Sequence, residues 1–194
     1  ILTKGIGQYQ LIGQTLDDAA GEAFDKTAKV MGLGYPGGPK IEAIAKQATA
    51  PITLPKALKQ RKDAMMSFSG IKTAARQHFS DHETQPNIHA NIAMGLQQCI
   101  AEQLCRKLNF AIAQTQVDTL VVSGGVSANQ YIREQLKQHT NAQQLFFPDL
   151  ALCTDNAAMV AYLGYLRMYD SHTTTLQARW PLASLKPPRD TYGT

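Results

Sequence analysis

The sequence predicts an α/β fold, because short apolar segments typical of buried strands alternate with longer segments of helical periodicity. Two observations carry this prediction: an apolar run at Asp118–Ser123 leads directly into Gly-Gly and a helix, and residues 86–108 repeat an apolar residue at every helical turn. The 194 residues are 44% hydrophobic and 18% charged, which argues against a disordered chain and leaves enough material for a core.

The first element is predicted to be a helix over Leu16–Met31, where small and apolar residues recur at helical spacing. Thr15 is the expected N-cap, and Asp17 and Asp18 would occupy the first turn, where the helix dipole favours negative charge. Two glycines at 32 and 34 end the helix.

The segment Tyr35–Pro39 places two glycines between two prolines. We expect a loop that is stiff at both ends and whose backbone can approach a partner closely. Pro39 would then open a short helix with Ile41, Ile44 and Ala45 on its inward side.

Periodicity weakens from residue 49 to residue 80, where Met65–Thr73 is interpreted as a short strand or loop leading into a helix. Pro86 and Asn87 start the clearest helix of the chain, predicted to lie in the core. Its apolar stripe, which carries no reactive side chain, consists of Ile88, Ile92, Leu96, Ile100, Leu104 and Leu108.

The C-terminal half repeats a strand-then-helix order. The predicted strand Asp118–Ser123 precedes a helix with Tyr131, Ile132 and Leu136, and a second strand, Gln144–Phe147, stops at proline 148. A last helix follows, with Thr154 as its expected N-cap.

The segment Ser123–Asn129 has the form in which proteins hold phosphate, because a strand, two glycines and a helix start bring backbone N–H groups to one point. A tight turn without a ligand explains the same pattern. Asn129 adds a carboxamide that can donate to and accept from a ribose or base edge. Asp155 begins the next helix, so its carboxylate is either a cap or an oxygen ligand for a divalent ion.

His78 and His82 have the four-residue spacing of a metal pair, but the polar residues around them favour a solvated helix end. Neither a His-Glu-x-x-His motif nor a P-loop is present, which disfavours a zinc peptidase of that type and a P-loop nucleotidase. The three cysteines form no Cys-x-x-Cys, and their odd number favours a reducing compartment.

The net charge of +4 permits a polyanionic partner but does not require one, and ordinary surface charge is the favoured explanation. The densest basic stretch is the candidate surface for RNA and contains Lys56, Lys59, Arg61, Lys62, Lys72 and Arg76. No apolar stretch approaches the roughly 20 residues that cross a bilayer, so no membrane partner is expected. The chain starts at Ile1 without methionine, which suggests a piece of a longer or processed protein.

Five separate blocks, in order and in register, carry a resemblance to a known family. The sequence resembles the tRNA adenosine threonylcarbamoyltransferases, the TsaD family, in its bacterial and organellar branch. The blocks are Asp17–Lys29, Tyr35–Pro39, Ser67–Thr73, Ser123–Asn129 and Cys153–Asn156.

This resemblance implies an actin-like, sugar-kinase-like α/β fold of two lobes around a cleft. Residues 1–48 would form the lobe junction and an inter-lobe helix with the Tyr35–Pro39 loop, and residues 49–194 the C-terminal lobe. It also implies the transfer of threonylcarbamoyl from its adenylate to the N6 amine of the adenosine next to the anticodon. By the same resemblance, Asp25, Gly38 and Asn129 would bind the adenylate.

Asp155 would be one ligand of a divalent metal, iron by resemblance, with zinc or magnesium as alternatives. The implied partners are tRNA, a paralogous protein and an ATPase in a bacterial complex, or a second copy in a homodimer if the protein is mitochondrial. The expected compartment is the cytoplasm, or alternatively the mitochondrial matrix.

One departure from the family pattern limits these expectations. The two metal-binding histidines and the first Ser-Gly-Gly loop of the family have no counterpart after Ile1, and His78 and His82 do not take their place. We therefore expect the isolated chain to be inactive. Two other functions stay open: an ATP-dependent small-molecule phosphotransferase of the same superfold, and a non-catalytic platform for a paralogous partner that binds through the helix over Leu16–Met31.

Overall fold

A computed structural model describes residues 1–170 and 180–188 of the chain. The larger of two compact units comprises Gly13–Cys153, and the smaller combines Ile1–Ile12 with described residues from Thr154 onward. In chain order, the strands and helices are β1 (Leu2–Gly5), β2 (Gln8–Gln10), α1 (Ala20–Val30), α2 (Gly37–Ala45), α3 (Ser69–His82), α4 (Ile88–Thr115), β3 (Thr119–Val121), α5 (Gln130–His139), β4 (Gln144–Phe146) and α6 (Ala157–Leu166).

The core of the larger unit surrounds α4, which packs against α2, α3 and α5. Ile92, Leu96 and Ile100 lie one turn apart on α4 and are fully buried. Burial of each such side chain stabilises the fold by about 1.5–3 kcal/mol. The predicted stripe is therefore confirmed as a core stripe. Its fully buried aliphatic neighbours on other helices are Ile41, Ile71, Ile132 and Leu136.

The strands β3 and β4 form a parallel pair, and α5 connects them. Parallel neighbours require such a crossover, so β3, α5 and β4 make one β-α-β unit. Val122, Leu145 and Phe147 pack against the core. The unit confirms the predicted mixed α/β class, with strands that are shorter than Asp118–Ser123 and Gln144–Phe147.

The prediction that the first helix begins at Leu16 was wrong, because α1 begins at Ala20. The backbone around Thr15 is bridged to Met66 instead: Leu16 N–H donates to the Met66 carbonyl at 2.8 Å. Thr15 does not cap the helix, since its hydroxyl donates to the Asp18 carbonyl at 2.7 Å.

Two other predicted helix starts are displaced. The short helix α2 begins at Gly37 rather than at Pro39, with Pro36 as the N-cap residue. Asn156, not Thr154, caps α6, because its side-chain oxygen accepts a hydrogen bond from Met159 N–H at 3.0 Å.

The smaller unit contains the antiparallel hairpin of β1 and β2, the helix α6 and a 3-10 turn at Leu182–Ser184. No residue of α6 is buried, and its exposed apolar residues include Val160 and Tyr162. In residues 1–170 and 180–188, no helix has the length and hydrophobicity that crossing a membrane requires.

Candidate functional site

Asp25 is held in a defined position on α1. Its Oδ1 accepts a hydrogen bond of 2.7 Å from the backbone N–H of Gly37, the first residue of α2. A carboxylate at a helix N-terminus satisfies an otherwise free N–H group and interacts favourably with the dipole. The side chain of Asp25 therefore fixes the start of α2, in the middle of the Tyr35–Pro39 segment, to α1.

The two adjacent glycines of this loop have different surroundings. A Cβ atom on Gly37 would lie 2.7 Å from both Ala28 Cβ and Asp25 Cα, so only glycine fits there without a shift of the backbone. A Cβ atom on Gly38 would meet nothing within 4 Å. Gly37 is thus a packing residue, and the backbone of Gly38 stands beside open space.

Asn129 connects two helices from a largely buried position. Its Oδ1 accepts a hydrogen bond of 2.9 Å from Ile132 N–H and thereby caps α5, and its Nδ2 donates to Gln97 Oε1 on α4 at 2.7 Å. One lone pair and one N–H of the carboxamide remain for a ligand. Asn129, predicted from the sequence as a site residue, therefore has a structural role in this fold.

The structure joins the elements that carry Asp25, Gly38 and Asn129. Glu42 on α2 accepts a hydrogen bond of 2.7 Å from Gln130 N–H, at the start of α5. A Cβ atom on Gly21 of α1 would lie 3.7 Å from Val126 Cγ2, in ordinary van der Waals contact. The helices α1 and α2, the turn before α5 and the start of α5 therefore belong to one packed region of the larger unit.

The glycine turn after β3 lies next to Asn129. Gly124 adopts φ 92°, a conformation that favours glycine, and both Gly124 and Gly125 are exposed. Arg133, one turn into α5, donates to the Ser127 carbonyl and, at 2.7 Å, to the Pro148 carbonyl after β4. Arg133 thus fixes the turn to the end of the β-α-β unit, a role that the sequence interpretation missed.

Asp155 is exposed and lies in the smaller unit, whereas the other three predicted site residues lie in the larger one. Across residues 1–170 and 180–188, no group of three or more His, Cys, Asp and Glu side chains is arranged to hold a metal ion. His78 and His82 stack at 5.9 Å between ring centroids, and Nδ1 of His82 lies 3.1 Å from the His78 carbonyl. The described residues therefore do not form a metal site of their own.

A further carboxylate holds the start of α3. Asp17, predicted to lie in the first turn of a helix, instead accepts hydrogen bonds from Ser67, Phe68 and Ser69, including 2.7 Å from Phe68 N–H. Partial desolvation by burial would raise the pKa of Asp17, but these hydrogen bonds outweigh it and lower the pKa to about 2. The Asp17 side chain therefore caps the start of α3, at Phe68, which lies 51 residues further along the chain.

Comparison with protein families gives the decisive observation, a match of residues 1–162 to the model of TsaD, the tRNA N6-adenosine threonylcarbamoyltransferase. The chain belongs to the TsaD family. The resemblance drawn from the five sequence blocks is thereby confirmed, and the alternative functions are not favoured. Asp25, Gly38, Asn129 and Asp155 all lie within the part that the TsaD model covers.

Curated relatives of the TsaD family match most of this chain. A tRNA N6-adenosine threonylcarbamoyltransferase of Aromatoleum aromaticum is 42% identical over 193 residues, which cover 95% of this chain and 56% of the relative. Proteins of the same name from Nitrosospira multiformis and Dichelobacter nodosus are each 42% identical over 192 residues, covering 92% and 95% of this chain and 55% and 56% of the relatives. The chain thus spans about half the length of these relatives and matches their C-terminal part.

Proposed function

We propose that this chain is the C-terminal portion of a transferase that forms threonylcarbamoyladenosine in tRNA. The observation that carries the proposal is the TsaD match over residues 1–162, together with the sequence identity that the chain shares with relatives named for this activity. The proposed architecture is the lobe junction, residues 1–48, followed by the C-terminal lobe, residues 49–194, of an actin-like fold.

The proposed substrate site is the region around the starts of α2 and α5. Its donor would be threonylcarbamoyl-adenylate, whose phosphate suits a helix N-terminus and a glycine turn. Three features support this assignment: the open space at Gly38, the exposed glycines 124 and 125, and the hydrogen bond by which Asp25 holds α2. Asn129 would contact the nucleoside with its remaining N–H and lone pair.

The proposed reaction is an acyl transfer. The N6 amine of adenosine attacks the carbamoyl carbon of the donor, a C–N bond forms, the C–O bond to the phosphate breaks, AMP leaves and one N6 proton is released. Backbone N–H groups aimed at the leaving phosphate would stabilise the charge that develops there. The proposed role of this chain in the reaction is therefore to bind and orient the adenylate.

Asp155 is proposed as one ligand of a divalent metal, which resemblance to the family suggests is iron. Its exposed carboxylate makes no hydrogen bond or ion pair with the other described residues, so it is available to a cation. One carboxylate supplies at most two of the six or so oxygen ligands that hard divalent ions prefer, so further ligands must come from outside the described residues.

The proposed partners and compartment follow from the same family assignment. tRNA would be the acceptor, and a paralogous protein and an ATPase would complete a bacterial modification complex, with a homodimer as the mitochondrial counterpart. The proposed location is the cytoplasm, with the mitochondrial matrix as the alternative.

A chimera tests the proposed function. In it, this chain replaces the matching C-terminal part of the Aromatoleum aromaticum relative, and the product is given threonylcarbamoyl-adenylate, unmodified tRNA and the paralogous and ATPase partners proposed above. We expect labelled threonine to appear in the tRNA at a rate within about tenfold of the relative's own, whereas the isolated chain transfers none. A folded chimera that binds tRNA but transfers nothing would contradict the proposal.

A further inference from the structure

The segment between α2 and α3, residues 46–68, contains no helix and no strand beyond one isolated bridge at Met66. Connections longer than about 12–15 residues without regular structure are uncommon in compact domains, and they are usually either functional or disordered. This segment is not loosely attached. Side chains of α4 bind its backbone at several points along its length.

Lys107 on α4 makes three of these contacts. Only 2% of its side chain is exposed, and its Nζ donates to the carbonyls of Arg61 and Asp63 at 3.0 and 2.9 Å and lies 3.3 Å from Asp63 Oδ1. A buried ammonium group is costly unless it is paired and hydrogen-bonded, and here it is both. The cation thus holds the carbonyl groups of the segment toward α4.

Two further side chains of α4 extend this arrangement. Arg106 Nη2 donates to the Ala57 carbonyl at 2.9 Å. The amide of Gln103 makes two hydrogen bonds with the backbone of Ser67, accepting from its N–H at 2.9 Å and donating to its carbonyl at 3.0 Å. Three polar side chains of α4, the second and third lying three and four residues after the first, therefore fix residues 57–67.

The stretch from Lys56 to Lys62, here called the basic loop, carries four of the chain's 19 lysine and arginine residues and no acidic residue. Lys56 pairs with Glu102 at 2.6 Å, and Arg61 pairs with Asp63 at 2.7 Å. Lys59 and Lys62 are exposed and make no ion pair within the part of the chain that the structure describes. Two uncompensated cations thus project from a backbone that is already ordered.

We propose that the basic loop is a contact surface for the phosphodiester backbone of tRNA, an inference that rests on the proposed function. Lysine ammonium groups bind phosphate as point charges, and such contacts position a nucleic acid without reading its bases. No aromatic side chain lies between residues 46 and 67, so the segment offers no platform for base stacking. Because the loop is ordered in advance by α4, binding costs little additional conformational entropy.

The test compares tRNA binding by the 194-residue chain and by its double variant Lys59→Gln/Lys62→Gln over a series of salt concentrations. We expect the variant to bind tRNA about tenfold or more weakly at low salt, and the slope of log K against log salt to fall by about one to two. The matched control is Lys4→Gln/Lys137→Gln, which removes two exposed lysines that make no ion pair among the described residues; it should bind as the unmodified chain does.

An unchanged affinity and slope in the Lys59/Lys62 variant would overturn the inference. The inference would also be overturned if the chain binds vesicles of anionic lipid but does not bind tRNA, because the basic loop would then be a membrane-surface contact. The chimera separates the two proposals. If it transfers threonylcarbamoyl equally well with and without Lys59 and Lys62, only this inference is contradicted. If its tRNA binding depends on the two lysines but it transfers nothing, only the proposed function is contradicted.

Discussion

Asp25 on α1 and Gly37 at the start of α2 are joined by a hydrogen bond of 2.7 Å from the glycine N–H to the carboxylate. The glycine is also the residue whose missing side chain lets the two helices touch, since a Cβ atom there would lie 2.9 Å from the Phe24 carbonyl. Asp25, one of the proposed adenylate contacts, is therefore part of the contact between α1 and α2. Gly38, another, follows Gly37 directly in the chain, so both lie where a substitution can change the stability of the fold.

Replacement of Asp25 should affect stability as well as any binding role. Asp25→Ala leaves the Gly37 N–H without its acceptor, and we expect the free energy of unfolding to fall by about 1–2 kcal/mol. Asp25→Asn keeps an acceptor oxygen and should lose less. Urea unfolding of the three proteins measures the difference. Equal stability of all three would mean that the hydrogen bond is not formed in solution.

The two glycines of the loop offer a matched pair of substitutions. Gly37→Ala forces atoms of α1 and α2 apart, and we expect a loss of about 1–3 kcal/mol in the free energy of unfolding. Gly38→Ala meets no neighbour within 4 Å, and alanine favours a helix, so stability should be unchanged or rise by up to about 1 kcal/mol.

The same pair tests the proposed site. In the chimera, Gly38→Ala should reduce transfer without loss of stability, because the added methyl group occupies the space proposed for the adenylate. Thermal unfolding and transfer rate are measured on the same preparations. Full activity of the Gly38 variant would remove this glycine from the proposed site.

The helices of the core could be predicted from the sequence because an apolar residue at every turn of α4 reflects burial alone. The start of α1 could not. Thr15, Asp17 and Asp18 are residues typical of a helix N-terminus. In the fold, however, the backbone of Thr15 pairs with Met66 and the Asp17 carboxylate binds the start of α3, so neither residue serves the start of α1. Local signals of this kind do not show a partner that lies fifty residues further along the chain.

The candidate site divides in a similar way. Its residues were identified from blocks of sequence. The fold joins the elements of three of them through Glu42, to which the sequence interpretation assigned no role, and through Gly37, which was expected to let the backbone approach a partner and instead packs against α1. The polar attachments of α4 were also missed. Lys107 and Gln103 lie outside the predicted apolar stripe, and their partners are backbone atoms of a segment without periodicity, for which sequence patterns give no signal.

Asn129 provides a further prediction, because its carboxamide both caps α5 and bonds to Gln97. Asn129→Ala should lower the free energy of unfolding by about 1–3 kcal/mol, since a buried amide on α4 loses its partner. Asn129→Asp keeps the acceptor for Ile132 N–H but has no N–H to donate to Gln97 Oε1, so it should retain only the helix cap.

The contribution of the Gln97 contact can be isolated in a double-mutant cycle of Asn129→Ala and Gln97→Ala. We expect a coupling free energy of about 0.5–3 kcal/mol from denaturant unfolding. Strictly additive effects would indicate that the two amides are independent, and Asn129 would then act as a helix cap only.

The depressed pKa of Asp17 predicts how stability depends on pH. Because its folded value is about 2 and its ordinary value is 3.8, the ionised carboxylate stabilises the fold at any pH above about 4. This contribution falls as the pH drops from 3.8 through 2, when the carboxylate becomes protonated in the folded state too. Asp17 is exposed to solvent, so we expect about 1 kcal/mol rather than the full value of the shift.

The measurement compares the chain with its Asp17→Asn variant by urea unfolding from pH 7 to pH 2.5. The difference in the free energy of unfolding should be constant at about 1 kcal/mol down to about pH 4.5 and then shrink, because the variant carries no titrating group at position 17. Glu22→Gln on α1 is the control for loss of an exposed carboxylate, because the Glu22 Oε2 accepts its hydrogen bond from Ala19 N–H, at the start of its own helix, at 2.9 Å. A difference between Asp17→Asn and the parent chain that stays the same below pH 4 would show that the contacts with Ser67, Phe68 and Ser69 do not depend on the charge of Asp17.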